Sequence, residues 1–275
     1  MNELALFAGA GGGILGGHLL GWRTVCAVER DAYAAQILAQ RQTDGLLPTF
    51  PIWSDVCSFD GRRWRGIIDV VSGGFPCQDI SAAGNGTGIN GARSGLWREM
   101  ARIISEVRPE LVYLENSPLL VGRGLALVLG ELAEMGYDAQ WCIVSASDVG
   151  APHKRDRTWL VAYSNEIGRS GRHWESRTKR WVKPENCSRT DLADAGSKYG
   201  ERFVACRSDA QVRCRPLERS TGPCGNGFRR WPAEPGMGRV ADGVAHRMDR
   251  LKALGNGQVP RVAARAFDLL YPDRK

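Results

Sequence analysis

From residue 1 to about 162, short apolar runs alternate with amphipathic stretches. Residues 4–8, 24–28, 67–72, 111–114 and 159–162 are apolar, brief and bounded by Gly, Pro or charge, which predicts buried strands. Between them, residues 31–40, 95–107 and 124–135 carry apolar side chains at helical spacing, as Leu125, Leu129 and Leu132 do at i, i+4 and i+7. Alternation of this kind predicts an α/β domain, a parallel sheet with helices on both faces. From about 163 to 240 the rhythm stops. Gly, Arg and Ser dominate there, and Trp174, Trp181 and Trp231 stand alone among basic residues. Helical spacing returns near 259 with Val262, Ala266, Leu269 and Leu270.

The chain has 275 residues, 43% apolar and 24% charged, ordinary values for a globular protein and against wholesale disorder. No run approaches the roughly 18 uncharged apolar residues of a membrane helix. Residues 1–4 lack the basic start of a secretory signal. The expectation is a soluble, cytoplasmic protein with no membrane partner, and a monomer. Eight cysteines in a chain this long do not make a disulfide scaffold. Charge sharpens the picture once it is divided along the chain. Residues 1–162 carry a net −3, residues 163–250 a net +7 and residues 251–275 a net +3. A near-neutral half followed by a basic half suits a nucleic-acid partner, because Lys and Arg replace counterions on phosphates. A solvated basic surface is the plainer reading of the same charges.

Phe7-Ala8-Gly9-Ala10-Gly11-Gly12-Gly13 follows the first strand and opens a helical stretch. Glycines there let backbone N–H groups approach a ligand beside a positive helix end. Glu29 ends the second strand about twenty positions later, where a carboxylate grips ribose hydroxyls. Ser54-Asp55-Val56 follows the third strand and offers a carboxylate for an adenine amino group. The pattern predicts a nucleoside cofactor, the alternative being a tight turn with surface acids. The loop lacks full Gly-x-Gly-x-x-Gly spacing and a Walker lysine, which argues against NAD and ATP.

Asp69-Val70-Val71-Ser72-Gly73-Gly74-Phe75-Pro76-Cys77-Gln78 is the most specific stretch. It delivers a Pro-Cys at the carboxyl end of a strand, where ligand crevices form in open α/β sheets. A Gly/Asn-rich segment, residues 84–95, follows as a lid would. A lone cysteine is often a small buried hydrophobe. The strand-end position, the pre-set Pro76 and the loop favour a nucleophile instead.

With these residues on the page, the chain resembles the DNA cytosine-5 methyltransferases of bacterial and phage type. The resemblance covers most of residues 4–162 and 238–270. Its motifs run in family order: Phe7, Gly9 and Gly11; Pro76-Cys77-Gln78; Glu115-Asn116; Arg155 and Arg157; and Gly255-Asn256. It implies an S-adenosylmethionine-dependent methyltransferase fold, a Rossmann-like doubly wound sheet with a small irregular target-recognition domain. Residues 1–162 with 251–275 would form the catalytic and cofactor-binding domain, and 163–250 the target-recognition region. The implied cofactor is S-adenosyl-L-methionine and the implied partner double-stranded DNA. The implied process is DNA methylation, as in a restriction-modification system.

By the resemblance, the Cys77 thiolate adds to carbon 6 of a flipped cytosine, which makes carbon 5 nucleophilic enough to take a methyl group. Glu115 hydrogen-bonds ring nitrogen 3 and the exocyclic amine, with helix capping as its plainer alternative. Arg157 contacts the cytosine oxygen and steadies Glu115, while Arg155 holds the backbone or the active-site loop. A guanidinium's fixed fork of donors suits both tasks. For the cofactor, the resemblance implies that Phe7 flanks the adenine, with Gly9, Gly11 and Gly12 in the loop. Glu29 would hold the ribose and Asp55 the adenine amine, Leu96 and Trp97 would line the pocket, and Asn256 would fold back beside the glycine loop. His153 stands where the family usually has Gln, and Ala5 replaces a usual polar residue.

Three rivals stand beside this reading: an RNA cytosine-5 methyltransferase, a catalytically idle DNA-binding relative, and an NAD-dependent oxidoreductase that leaves Pro76-Cys77-Gln78 without a role. Cys187, Cys206, Cys214 and Cys224 contain no Cys-x-x-Cys pair, so no metal site is expected.

Overall fold

The computed structural model describes residues 1–76, 95–165 and 247–271. Seven strands form one sheet in the order β3-β2-β1-β4-β5-β7-β6. They are β1 (Asn2–Leu6), β2 (Arg23–Val28), β3 (Ile52–Trp53), β4 (Val70–Gly73), β5 (Leu111–Asn116), β6 (Tyr137–Ser145) and β7 (Asp156–Ser164). The helices are α1 (Gly12–Leu19), α2 (Ala32–Thr43), α3 (Gly95–Val107), α4 (Leu120–Arg123), α5 (Leu125–Glu134), α6 (Arg247–Asn256) and α7 (Pro260–Leu270).

Strands β1 to β5 are mutually parallel. The expected all-parallel sheet is corrected at one edge, where β7 runs antiparallel to both β5 and β6. No helix separates β6 from β7. A single 3-10 turn, Ala146–Val149, joins them, and so short a link returns the chain antiparallel. The sequence pattern does not single out β6 as a strand. It is an outer strand, and its polar Asp138 and Gln140 dilute the apolar signal.

Side-chain alternation divides the core between the two faces of the sheet. Leu4 and Leu6 of β1, with Val112 and Leu114 of β5, pack in one cluster with Trp97, Met100, Ile103 and Ile104 of α3. Leu111 and Tyr113 face the other way, against Val262, Ala266 and Phe267 of α7. The Tyr113 hydroxyl donates to the Ala263 carbonyl at 2.6 Å. Helix α7 also packs on α1, where a Cβ on Gly16 would come within 2.7 Å of the Ala263 Cβ. Helix α7 therefore lies against the helix that follows the first glycine loop, which brings residues 260–270 beside residues 12–19. Strand order reverses between β1 and β4, so the loops leaving those strands flank the crevice where open α/β sheets bind ligands.

Candidate active site

Backbone shape dominates the loop after β1. Phe7, Gly9 and Gly11 all have positive φ, at 52°, 54° and 85°. For Phe7 this is an uncommon conformation held by its neighbours. A Cβ on Gly9 would meet nothing within 4 Å, so the loop surface there is open. At Gly11 a Cβ would collide with Leu38 at 2.6 Å. Glu29 lies at the end of β2 and turns its carboxylate onto the loop. It accepts from the Gly9 N–H at 2.6 Å and the Asp31 N–H at 2.7 Å. Asp55 is partly buried, and its Oδ1 accepts from the Cys57 N–H at 3.0 Å, capping the 3-10 turn Val56–Ser58.

Leu96 is half-buried against the first core cluster. Trp97 corrects the pocket-lining expectation: it is fully buried, packs on Phe75 and donates its indole N–H to Glu131 at 2.6 Å. Asn256 is exposed at the end of α6.

The rim formed by β4, β5 and β7 is built from charge. Glu115 is the fifth residue of β5 and shares a face with Tyr113. It is buried, and its Oε1 lies 2.8 Å from Arg157 Nε on the adjacent β7. This pairing excludes the helix-capping alternative, since α4 begins after Leu119 with no side-chain cap. Burial pushes the Glu115 carboxyl above its ordinary range, while the charges of Arg157 and Arg155 and a hydrogen bond from Gln258 pull it back. Arg155, whose φ is 44°, donates from Nη2 to the carbonyls of Gly255 and Gly257 at 2.7 and 2.6 Å. It thus holds the backbone of the last motif. Lys252 of α6 pairs with Asp31, the N-cap of α2, and fixes the same segment from the other side.

Pro76 is exposed at the exit of β4, and Cys77 lies outside the described residues. The approach to it is ordered by two contacts. A Cβ on Gly74 would sit 2.7 Å from Glu115 Oε2, so only glycine lets this backbone run under the carboxylate. Asn116 Nδ2 donates to the Phe75 carbonyl at 3.2 Å. Gly74, Asn116 and Gln258 stand in or beside the motif stretches, but motif reading gave none of them a role in the site. Among the described residues, no cluster of His, Cys, Asp and Glu could hold a metal ion, and no helix is long and apolar enough to cross a membrane. The expected recognition region, apart from its two ends, lies outside the described residues, as do its four cysteines.

The chain is similar to known methyltransferases. The type II methyltransferase M.CviJI of Paramecium bursaria Chlorella virus IL3A is 35% identical over 163 residues, 58% of this chain and 42% of that protein. M.Eco47II of Escherichia coli is 33% identical over 173 residues, 60% of this chain and 40% of that protein. The match therefore spans about two fifths of these relatives' length. A solved structure described as a DNA modification methyltransferase encoded within an E. coli prophage superposes with a TM-score of 0.51 at 25% identity. It covers 61% of this chain and 47% of its own. The methyltransferase EhMeth of Entamoeba histolytica shares the fold, with a TM-score of 0.52 at 18% identity, over 59% of this chain and 52% of its own. The family model for C-5 cytosine-specific DNA methylase matches residues 1–212, more than half of the sequence, and the chain belongs to that family.

Proposed function

We propose that this chain methylates carbon 5 of a cytosine flipped from duplex DNA, with S-adenosylmethionine as methyl donor and Cys77 as nucleophile. The observation that carries the reading is the ion pair of the buried Glu115 with the part-buried Arg157, on the rim beside the strand that leads to Pro76-Cys77. Taking a carboxylate and a guanidinium out of water costs free energy that their attraction only partly repays, so such a pair on the rim of a crevice points to a use in recognition.

The loop residues fit a nucleoside donor. Gly9 leaves an open backbone surface, Glu29 brings a carboxylate to it, and Asp55 keeps a second acceptor oxygen at the end of β3. When bound, the donor supplies an electrophilic methyl group.

On the base, this chain's groups divide the work. The Cys77 sulfur bonds to carbon 6 and the ring's electron pair moves to carbon 5. Charge gathers on the ring, where Glu115, its carboxyl raised toward neutrality by burial, shares a proton with nitrogen 3. Arg157 keeps Glu115 in one orientation and offers its remaining N–H groups to the cytosine oxygen. Carbon 5 takes the methyl and gives up its proton to solvent, and the sulfur leaves carbon 6 as thiolate. The +7 balance of residues 163–250 supports phosphate contacts to DNA held open around the flipped base.

Duplex DNA and transfer RNA, offered in competition with labelled S-adenosylmethionine, test the reading. Label should enter DNA cytosine and vanish in Cys77→Ser. Label entering RNA alone, or transfer surviving in the variant, overturns it.

A further inference from the structure

Glu115 has a third partner that the reaction described above leaves without a role. Gln258 lies between α6 and α7, and its side chain hydrogen-bonds the Glu115 carboxyl and lowers its proton affinity. The same residue closes on the first glycine loop. A Cβ on Gly12 would fall 2.1 Å from the Gln258 carbonyl oxygen, and one on Gly13 would fall 2.4 Å from Gln258 Oε1. Its Nε2 lies 3.2 Å from where a Gly74 Cβ would stand, on the exit of β4. One amide thus touches the nucleoside loop at one end and the base-binding carboxyl at the other. Its backbone is fixed on both sides. Arg155 holds the carbonyls of Gly255 and Gly257 just before it, and Pro260 opens α7 just after it.

We infer that Gln258 is a positioning residue: it sets the orientation and protonation of Glu115 and is itself held in place by the absence of side chains at Gly12 and Gly13. The inference rests on the function proposed above and adds a residue to it. An amide suits the task because it donates to Glu115 without carrying a charge of its own. Arg155 and Arg157 already supply two positive charges, and a third cation at 258 would oppose them. Gly12 and Gly13, on this view, keep their identity partly to leave room for Gln258, in addition to leaving backbone free for a nucleoside. A substitution in the glycine loop therefore reaches the base pocket through one side chain.

The test compares wild type, Gln258→Met and Gly13→Ala in the full chain. Met keeps length and removes the donor. Gly13→Ala leaves Gln258 chemically intact and displaces its tip, at a helical position with no positive φ. Single-turnover methylation of duplex DNA is followed from pH 5.5 to 9. S-adenosylhomocysteine affinity is measured separately by calorimetry, and thermal melting checks folding. Glu115→Gln identifies the limb of the pH profile that belongs to Glu115. In Gln258→Met that limb should move to higher pH, and the plateau rate below it, where Glu115 carries its proton, should fall about tenfold because the carboxyl loses the bond that orients it. Affinity for S-adenosylhomocysteine should stay within about threefold, equivalent to about 0.65 kcal/mol. Gly13→Ala should move the same limb the same way, and the double variant should be no worse than Gln258→Met alone. An unmoved limb in both folded variants, or additive losses, overturns the inference while leaving methylation by the wild type intact. A wild type that transfers no methyl to DNA overturns the function instead.

Discussion

Two buried glutamates sit near opposite ends of the same sheet, and the protein treats them differently. Glu3, near the start of β1, is fully buried, and its carboxylate accepts from the Thr24 and Ser72 hydroxyls, each at 2.6 Å. Neutral partners leave burial in charge, and the Glu3 carboxyl is pushed from 4.5 up to about 7. Glu115, near the end of β5, is held by a guanidinium at 2.8 Å with a second guanidinium and an amide nearby. Burial still raises it, but positive charge opposes the rise. A proton on Glu3 relieves a desolvation cost. On Glu115, charge and desolvation are set against each other, which leaves the proton free to respond to a base.

The largest break in this comparison is Arg157→Ala. Removing one member of a buried pair leaves the other uncompensated, a loss of about 3–5 kcal/mol where burial is complete and less at this partly open rim. Glu115 then becomes more like Glu3, and its proton affinity in the folded state rises further. A folded-state value raised above the unfolded one gives stability that is present at low pH and lost as pH rises through the folded value. Thermal melting should therefore show a larger deficit at pH 8 than at pH 5.5, alongside loss of methyl transfer. Equal deficits at the two pH values would contradict the pairing.

Glu3→Gln makes the reverse change and comes next in size. The wild-type carboxyl is raised from 4.5 to about 7, so its penalty is absent below 4.5, grows as pH rises and is complete above 7. Gln carries no such penalty. The variant should be more stable than wild type by about 3 kcal/mol at pH 8.5, converting the shift at 1.36 kcal/mol per unit. The difference should disappear at pH 4, and urea denaturation at the two pH values measures it. A variant that is less stable at pH 8.5 would show that the hydroxyls hold an ionised carboxylate at no net cost.

The same contrast explains what could be read from the sequence. The parallel half was legible because its strands are short apolar runs between glycines, and α3 (residues 95–107) was legible from its spacing. The edge hairpin was legible only in part: residues 159–162 of β7 read as a strand, whereas β6 and the antiparallel return did not. In β6 the polar Asp138 and Gln140 break the run, and β7 begins at Asp156, a polar start that strand pairing with Ser145 accommodates. The Glu115 and Arg157 pairing was legible because both stand in motifs of known order. Gln258 was not, because its importance depends on α7 bringing a late segment against a loop near residue 12, which no local spacing encodes. Trp97 erred in the other direction: an aromatic beside the loop was assigned to a pocket and belongs to the core, as its place on the apolar face of α3 requires.

The smallest predicted effect separates two uses of one carboxylate at the cofactor end. Asp55 Oδ1 caps the 3-10 turn through the Cys57 N–H, and loss of such a cap is worth about 0.5–2 kcal/mol. Asp55→Ala removes that bond, so it should lower stability and donor affinity together. Asp55→Asn keeps the capping oxygen and turns the other oxygen into a donor. If Asp55 only shapes the turn, Asn should leave S-adenosylhomocysteine affinity at the wild-type level. If its second oxygen accepts from the adenine amino group, two donors would face each other in Asn. Affinity should then fall about tenfold while the melting temperature stays within a degree or two, an unmade hydrogen bond being worth about 1–3 kcal/mol. Calorimetry on the two variants decides, and we expect the second result. The turn needs one oxygen, and a carboxylate at that position supplies two.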